Sequence, residues 1–376
     1  MNKNVNKNKN RAYRFRIYPD KDQEELLAKT FGCCRFLYNI MLEDKIKEYK
    51  ETKKMLKNTP AQYKKQFSWL KEVDSLALAN VQLHLESAYK NFFRDPKTGF
   101  PKFKSKHGSS NSYTTNVVNG NIRLGKGKLK LPKLKEIRIK QHREIPEWYK
   151  LKSVTVSREP SGKYYASLLY EYPAGENQAA GKKSEEDRKI LGIDFAMSQM
   201  AVFSDGSRCD YPSCYRRAEK KLGREQRKLS KCVKGSRNYQ KQKKKVALCH
   251  EKVRNQRKDH HHKLSRRIAE EYDVVAVEDL NMRSMSQCLN LGKGVMDNGY
   301  GMFLKLLDYK MKERGKQIIR VDRYYPSSKR CSRCGKVKEH LGLSERIYEC
   351  ECGNRIDRDV NAAVNIREEA KRILCA

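Results

Sequence analysis

Two kinds of residue in this sequence are spaced to do chemistry: thiols in close pairs, and carboxylates at the ends of apolar runs. Cys331 and Cys334 form C-x-x-C, and Cys350 and Cys352 form a second close pair sixteen residues on, each pair followed by glycine. Two tight knuckles of this kind bring four thiolates into one tetrahedral site, the glycine admitting the turn that aims backbone amides at sulfur. The pattern calls for a structural Zn²⁺. The second knuckle, C-x-C, is one residue shorter than the usual form. Without a metal the loop between Ser327 and Arg355 has little apolar material to hold it and should be disordered.

The carboxylates are the sharper signal. Asp194 closes the apolar run "ILGID" and Glu278 closes "VVAVE", where a strand buried on both faces would not ordinarily carry a charge. A strand-end cap would account for one such acid, but two, joined by a third in "DRDVNAA", point to a shared site. In that last stretch Asp359, Ala362, Ala363, Ile366, Ala370 and Ile373 fall on one helical face, and Asp357 lies about 200° away. The small alanines would let the helix sit close on a sheet and bring Asp359 over the strand ends. Asp359 is therefore the third acid, and Asp357 a group that starts or supports the helix. Three converging carboxylates suit two Mg²⁺ ions, hard cations that take oxygen ligands. Two such ions about 4 Å apart activate a water and stabilise the leaving oxygen of a phosphodiester. The chemistry implied is in-line hydrolysis of a nucleic-acid backbone.

The rest of the chain must position these groups and hold such a substrate. Lys and Arg total 83 against 45 acids, a net charge of +38 spread over 376 residues. A field of that size repels itself and is tolerated where a polyanion supplies the counter-charge, which favours nucleic acid as partner. No apolar run approaches the roughly 20 residues that cross a bilayer, and "MNKNVNKNKN" lacks the apolar core of a signal peptide, so no membrane role and a cytosolic location are expected. Twelve cysteines in a reducing compartment are no disulfide framework. Cys33, Cys34, Cys209, Cys214, Cys232, Cys249, Cys288 and Cys375 are expected as small buried hydrophobes.

Along the chain, "RAYRFRIYP" alternates as a half-exposed strand after a leader expected to be disordered until bound. A helical pattern broken by Pro60 and "DPKTG" follows over 21–98. Short alternating runs over 99–175, "NIRLGKGKLKLP", "EIRIKQ", "SVTVSRE" and "YYASLLYEY", suggest a small antiparallel barrel that the first strand joins, with the helices inserted between. A linker-like stretch over 176–188 separates this from a second region. There, buried strands at "ILGID" and "VVAVE" are divided by a long basic helical stretch interrupted around "KGSRNY", then followed by a helix and a strand "QIIRVDRYY". The triple histidine at 260–262 cannot chelate one ion from a helix, because successive side chains point about 100° apart. The fold class is α+β and multidomain.

In this order and spacing, "GID" with "SDG", "VVAVEDL", "YYPSSKRCSRCG" and "CGNRIDRDVNAAVNI" resemble the TnpB family of transposon-encoded RNA-guided DNA nucleases, relatives of the type V CRISPR effectors. The likeness is specific from about Lys189 to the end and weaker at the front, in "GCCRFLYNIML", "LESAYKNFF" and "FPKFKSK". It implies a wedge β-barrel carrying a helical recognition lobe, then an RNase H-like, RuvC-type nuclease domain over 189–330 and 354–376, interrupted by a zinc ribbon at 331–353. It implies a guide RNA made from the transposon end, a short motif beside the target, cleavage of both strands of double-stranded DNA by one site, and a protein monomer in the complex. Carried over by position, the catalytic acids are Asp194, Glu278 and Asp359, and the zinc ligands Cys331, Cys334, Cys350 and Cys352. Lys102, Lys104 and Lys106 are the expected phosphate contacts. A guided binder that does not cut, and an unguided transposase, are the alternatives. The first predicts a missing acid, and the second an end-recognition domain of its own.

Overall fold

The computed structural model describes residues 8–106, 111–173, 187–196, 199–210, 213–281, 297–342 and 344–375. Residues 1–7 of the leader, nearly all of the linker-like stretch and Cys288 lie outside these residues, while Lys9 and Asn10 of the leader open the first strand. The chain divides into two compact units, Met1–Ala174 and Gly175–Ala376.

In the first unit, β1 (Lys9–Tyr18) buries Tyr13, Phe15 and Ile17 and turns Arg14 outward, as its alternation requires. It is an inner strand of a seven-stranded sheet with β2 (Asn111–Asn116), β3 (Arg123–Gly125), β4 (Lys128–Leu131), β5 (Lys135–Lys140), β6 (Lys150–Arg158) and β7 (Tyr164–Tyr172). The order is β2-β6-β7-β1-β5-β4-β3, and every ladder is antiparallel. Among the described residues no ladder joins β2 to β3, so the sheet is a half-barrel where a small antiparallel barrel was expected. With only three residues, β3 offers too little ladder to close a seam. β2, "NSYTTN", has polar and β-branched residues with only Tyr113 and Thr115 buried, which is why no apolar alternation announces it.

Between β1 and β2 run α1 (Lys21–Thr52), α2 (Pro60–Gln66) and α3 (Ser75–Arg94). α1 begins on a capping box of Asp20 and Gln23, α2 has Pro60 in its first turn, and the Asp74 side chain caps α3. Leu27, Leu37 and Met41 of α1 and Leu78 and Leu85 of α3 share one core with Phe15, Ile17, Val154 and Leu168 of the sheet. The helices therefore depend on the sheet for their burial.

The second unit contains β8 (Ile190–Asp194), β9 (Ala201–Phe203), β10 (Arg208–Cys209), α4 (Cys214–Ser230), α5 (Arg237–Glu271), β11 (Val274–Glu278), α6 (Tyr300–Glu313), β12 (Gln317–Val321), β13 (Ile347–Glu349), β14 (Arg355–Asp357) and α7 (Arg358–Leu374). Five strands form a sheet in the order β10-β9-β8-β11-β12; the first three are antiparallel, and β8, β11 and β12 run parallel. The basic helices α4 and α5 form a hairpin locked by Gln242, whose buried amide donates to Glu225 Oε2 at 2.7 Å and to the Glu225 carbonyl at 2.9 Å. His261 of α5 is fully buried, with its ring packed at 69° to that of His260 and 53° to that of Phe303. Burial, with His260 beside it, pushes His261 down to about 4.

Cys33, Cys34, Cys209 and Cys214 are buried, and Cys232 and Cys249 half-buried. Cys375 is exposed, contrary to expectation, because it sits just past the last turn of α7 where no described residue covers it. No described helix is long and apolar enough to cross a membrane.

Candidate metal centres

Strand parity places the first two acids. Leu191 and Ile193 of β8 and Val275 and Val277 of β11 pack on one face of the sheet against Leu264 and Ile268 of α5 and Phe303 and Leu307 of α6. Side chains alternate along a strand, so Gly192 with Asp194, and Ala276 with Glu278, belong to the opposite face. That face is covered by α7, whose Ile366 and Ala370 pack with Ala276 and Val321. Ile193 and Val277 are register partners, so Asp194 and Glu278 stand side by side at the ends of parallel neighbours.

The third acid comes with α7. A Cβ on Gly192 would lie 2.0 Å from the Ala363 carbonyl oxygen and 2.9 Å from the Arg367 amide, so helix backbone rests directly on strand backbone there. Ala362 and Ala363 are buried at this contact. Ile373, expected on the same face, is exposed, since the helix runs past the sheet before its last turn. Asp357 is the N-cap of α7: one of its carboxylate oxygens accepts from the amides of Asp359 at 3.0 Å and Val360 at 3.1 Å, and Arg208 pairs with it at 2.7 Å. Asp357 is thus occupied by structure. Asp359, in the first turn, lies close enough to Asp194 to act on its charge.

Burial, then Glu278, then Asp359 push the Asp194 carboxyl up to about 8, and the Arg358 guanidinium offsets only part of that. Burial likewise raises Glu278, although the Ser327 hydroxyl donates to its Oε1. A buried carboxyl raised in this way by neighbouring acids favours a bound cation over bare charge. Their donor set, oxygen alone, suits a hard divalent ion.

The cysteines come closer together. Their four Sγ atoms lie within 4.8 Å of one another, the only such group of metal-ligand side chains among the described residues. Sγ of Cys331 is 3.7 Å from that of Cys352, and Sγ of Cys334 is 3.6 Å from that of Cys350. A tetrahedral site with Zn–S of about 2.3 Å has sulfur edges of about 3.8 Å, so the spacing fits zinc. Each knuckle is closed by hydrogen bonds, Gly335 N to Cys331 O at 3.0 Å and Gly353 N to Cys350 O at 2.9 Å, with positive φ at both glycines. Burial opposes charge on Cys331, but the amides of Cys334 and Arg333 and the Asn354 side chain outweigh it and bring the thiol down to about 6.

Of the three lysines, Lys102 and Lys106 are exposed, whereas Lys104 folds its ammonium over the Tyr38 ring at 3.9 Å and is half-buried. Asn39 holds the Lys104 backbone from both sides, at 2.8 and 2.9 Å. Ser327 and Arg358 were missed as site residues. Ser327 lies within "YYPSSKRCSRCG", but nothing in its type or spacing ties it to Glu278.

A family model described as "Probable transposase" matches residues 158–289, one described as "Cas12f1-like, TNB domain" matches 300–366, and one described as "Helix-turn-helix domain" matches 8–54, where the structure has β1 and the long α1. A Streptomyces pristinaespiralis protein named as an RNA-guided DNA endonuclease is 34% identical, the match covering 95% of this chain and 88% of the relative. Escherichia coli InsQ, named likewise, is 29% identical over 96% of this chain and 93% of its own. Among solved structures, Cas12f1 in a complex with sgRNA and target DNA superposes with a TM-score of 0.59 at 15% identity, over 96% of this chain and 99% of that one, a likeness of fold.

Proposed function

From the premise that the chain belongs to the TnpB family, we propose that it is an RNA-guided DNA endonuclease whose carboxylate site hydrolyses the phosphodiester backbone of double-stranded DNA beside a short motif. The observation that supports the reading is the pairing of Asp194 and Glu278 at the ends of parallel neighbours, on the face that α7 covers, with Asp194 raised to about 8 by burial and by the charges of Glu278 and Asp359. Relatives named as RNA-guided DNA endonucleases, and a fold shared with Cas12f1, support the same activity.

Asp194, Glu278 and Asp359 would hold the catalytic ions, of the Mg²⁺ class. When bound, such ions supply a nucleophilic water and charge stabilisation for the leaving oxygen. The protein's part is to fix the oxygens. Parallel strands set Asp194 beside Glu278, Ser327 holds one Glu278 oxygen, and the Asp357 cap starts the helix that carries Asp359. Cys331, Cys334, Cys350 and Cys352 would hold a structural Zn²⁺. The guide RNA comes from the transposon end, and base pairing reads the target while the protein holds the heteroduplex through its backbone. Exposed Lys102 and Lys106 contribute to that grip. One protein chain serves per complex.

The test is expression with the native flanking transposon end, sequencing of the bound RNA, and incubation of the complex with a randomised plasmid library and Mg²⁺. One RNA species and cuts beside an enriched motif are expected. Bound RNA without cutting would leave a guided binder, and no specific RNA would leave an unguided nuclease or transposase.

A further inference from the structure

Asn361 and Asn365 stand one turn apart on α7 and are almost wholly buried, although neither faces the sheet core. Their amides reach instead to the segment that enters the ribbon. Asn365 Nδ2 donates to the carbonyls of Ser327 at 2.7 Å and Arg330 at 2.6 Å. Asn361 Nδ2 donates to the Arg330 carbonyl at 2.7 Å, and its Oδ1 accepts from the Ser332 amide at 3.0 Å. Both residues flanking Cys331 are therefore pinned to the helix that carries Asp359. The segment is also stiff in itself: the amides of Lys329 and Arg330 both bond the Pro326 carbonyl, at 3.1 and 2.9 Å. At the far end of this turn the Ser327 hydroxyl donates to Glu278 Oε1. Thus a rigid turn has a zinc-knuckle cysteine at one end and a carboxylate of the other metal centre at its start.

We propose that Ser327 is a positioning residue for Glu278, and that the Asn361 and Asn365 clamp transmits the state of the zinc ribbon to it, so that loss of zinc weakens divalent-ion binding at the carboxylates. This rests on the carboxylate reading above. A ligating carboxylate is oriented by the hydrogen bond to its other oxygen, and removal of such an outer partner costs about 10- to 100-fold in metal affinity. Cys331 holds its end of the turn only while its sulfur is ligated, so an empty ribbon loosens the turn that places Ser327 and acts on Glu278 in the same direction as the loss of the hydroxyl.

The experiment uses the full chain freed of nucleic acid, titrated with Mn²⁺ and read by the electron paramagnetic resonance signal of free Mn²⁺, with zinc content measured in parallel. Ser327→Ala should retain zinc and bind Mn²⁺ about tenfold more weakly or worse, and Ser327→Thr, which keeps the hydroxyl, should recover most of the loss. Cys350→Ser should lose zinc and weaken Mn²⁺ to a similar extent. In the double variant the two losses should not add, because both act through one hydroxyl. Unchanged Mn²⁺ affinity in zinc-replete Ser327→Ala, or additive losses in the double variant, would overturn the coupling. Asp194→Ala separates the two failures: if it too leaves Mn²⁺ binding untouched, the carboxylate reading falls and takes this inference with it.

Discussion

Asp194 carries the largest electrostatic strain in the candidate site, and its environment says how the site behaves without metal. Its ordinary value is 3.8 and burial, Glu278 and Asp359 raise it to about 8. Between those limits the folded state binds the extra proton, so the stability of the metal-free protein falls as pH rises through that window. Asp194→Asn should flatten that fall and raise the thermal midpoint at pH 8, measured without added divalent ions; an unchanged slope from pH 4 to 8 would contradict it. Asp194→Ala should abolish DNA cleavage and leave guide RNA bound, and persistent cutting by that variant would refute the triad. Both strand-end acids were legible because a charge at the end of a buried run is conspicuous. Helical phase set Asp357 apart from Asp359 as a group that starts the helix, and Asp357 does cap it. Ser327 was not legible, since its separation of 49 positions from Glu278 leaves no periodicity to link them.

At the scale of elements, the site depends on how near α7 comes to β8. Gly192 is where that approach is tightest, and there a side chain has no room because the obstacle is backbone. Gly192→Ala should lower unfolding stability by about 1–3 kcal/mol, as overpacking does, read as a lower denaturant midpoint, and cleavage should fall with it as Asp359 is pushed from the strand ends. A variant as stable as the parent would mean that the helix moves freely. The break in the helical pattern at Pro60 was readable, as was the order of strands and helices from alternation and period. The half-barrel and β2 were not, because closure depends on strand lengths and edge pairing that a single strand's pattern does not encode. The outward turn of Ile373 was missed for a related reason: helical phase gives the face but not where the sheet beneath it stops.

At the scale of the whole molecule, the net charge of +38 makes nucleic-acid binding a salt-sensitive property. Guide RNA affinity should fall by about 10³-fold or more between 50 and 200 mM salt if six or more phosphates are contacted. Replacing Lys102 and Lys106 together by Ala should reduce the slope of log affinity against log salt by about 2. Lys104→Ala should instead lower the stability of the first unit with little change in slope, because its ammonium is spent on Tyr38; a slope change equal to that of its neighbours would contradict this. Chelation of zinc should make the ribbon a protease-sensitive loop, checked by limited proteolysis with and without chelator, for little but the metal and Tyr348 gives it a core. By itself the sequence determined what is local or periodic: the knuckle spacing, the acids ending apolar runs, the amphipathic helices and the charge that calls for a polyanion. Only the tertiary structure decided which side chains meet across long separations. The resting of α7 on Gly192, the inward turn of Lys104 and the path from Cys331 through Ser327 to Glu278 all arise from packing between elements, whose distances no spacing along the chain contains.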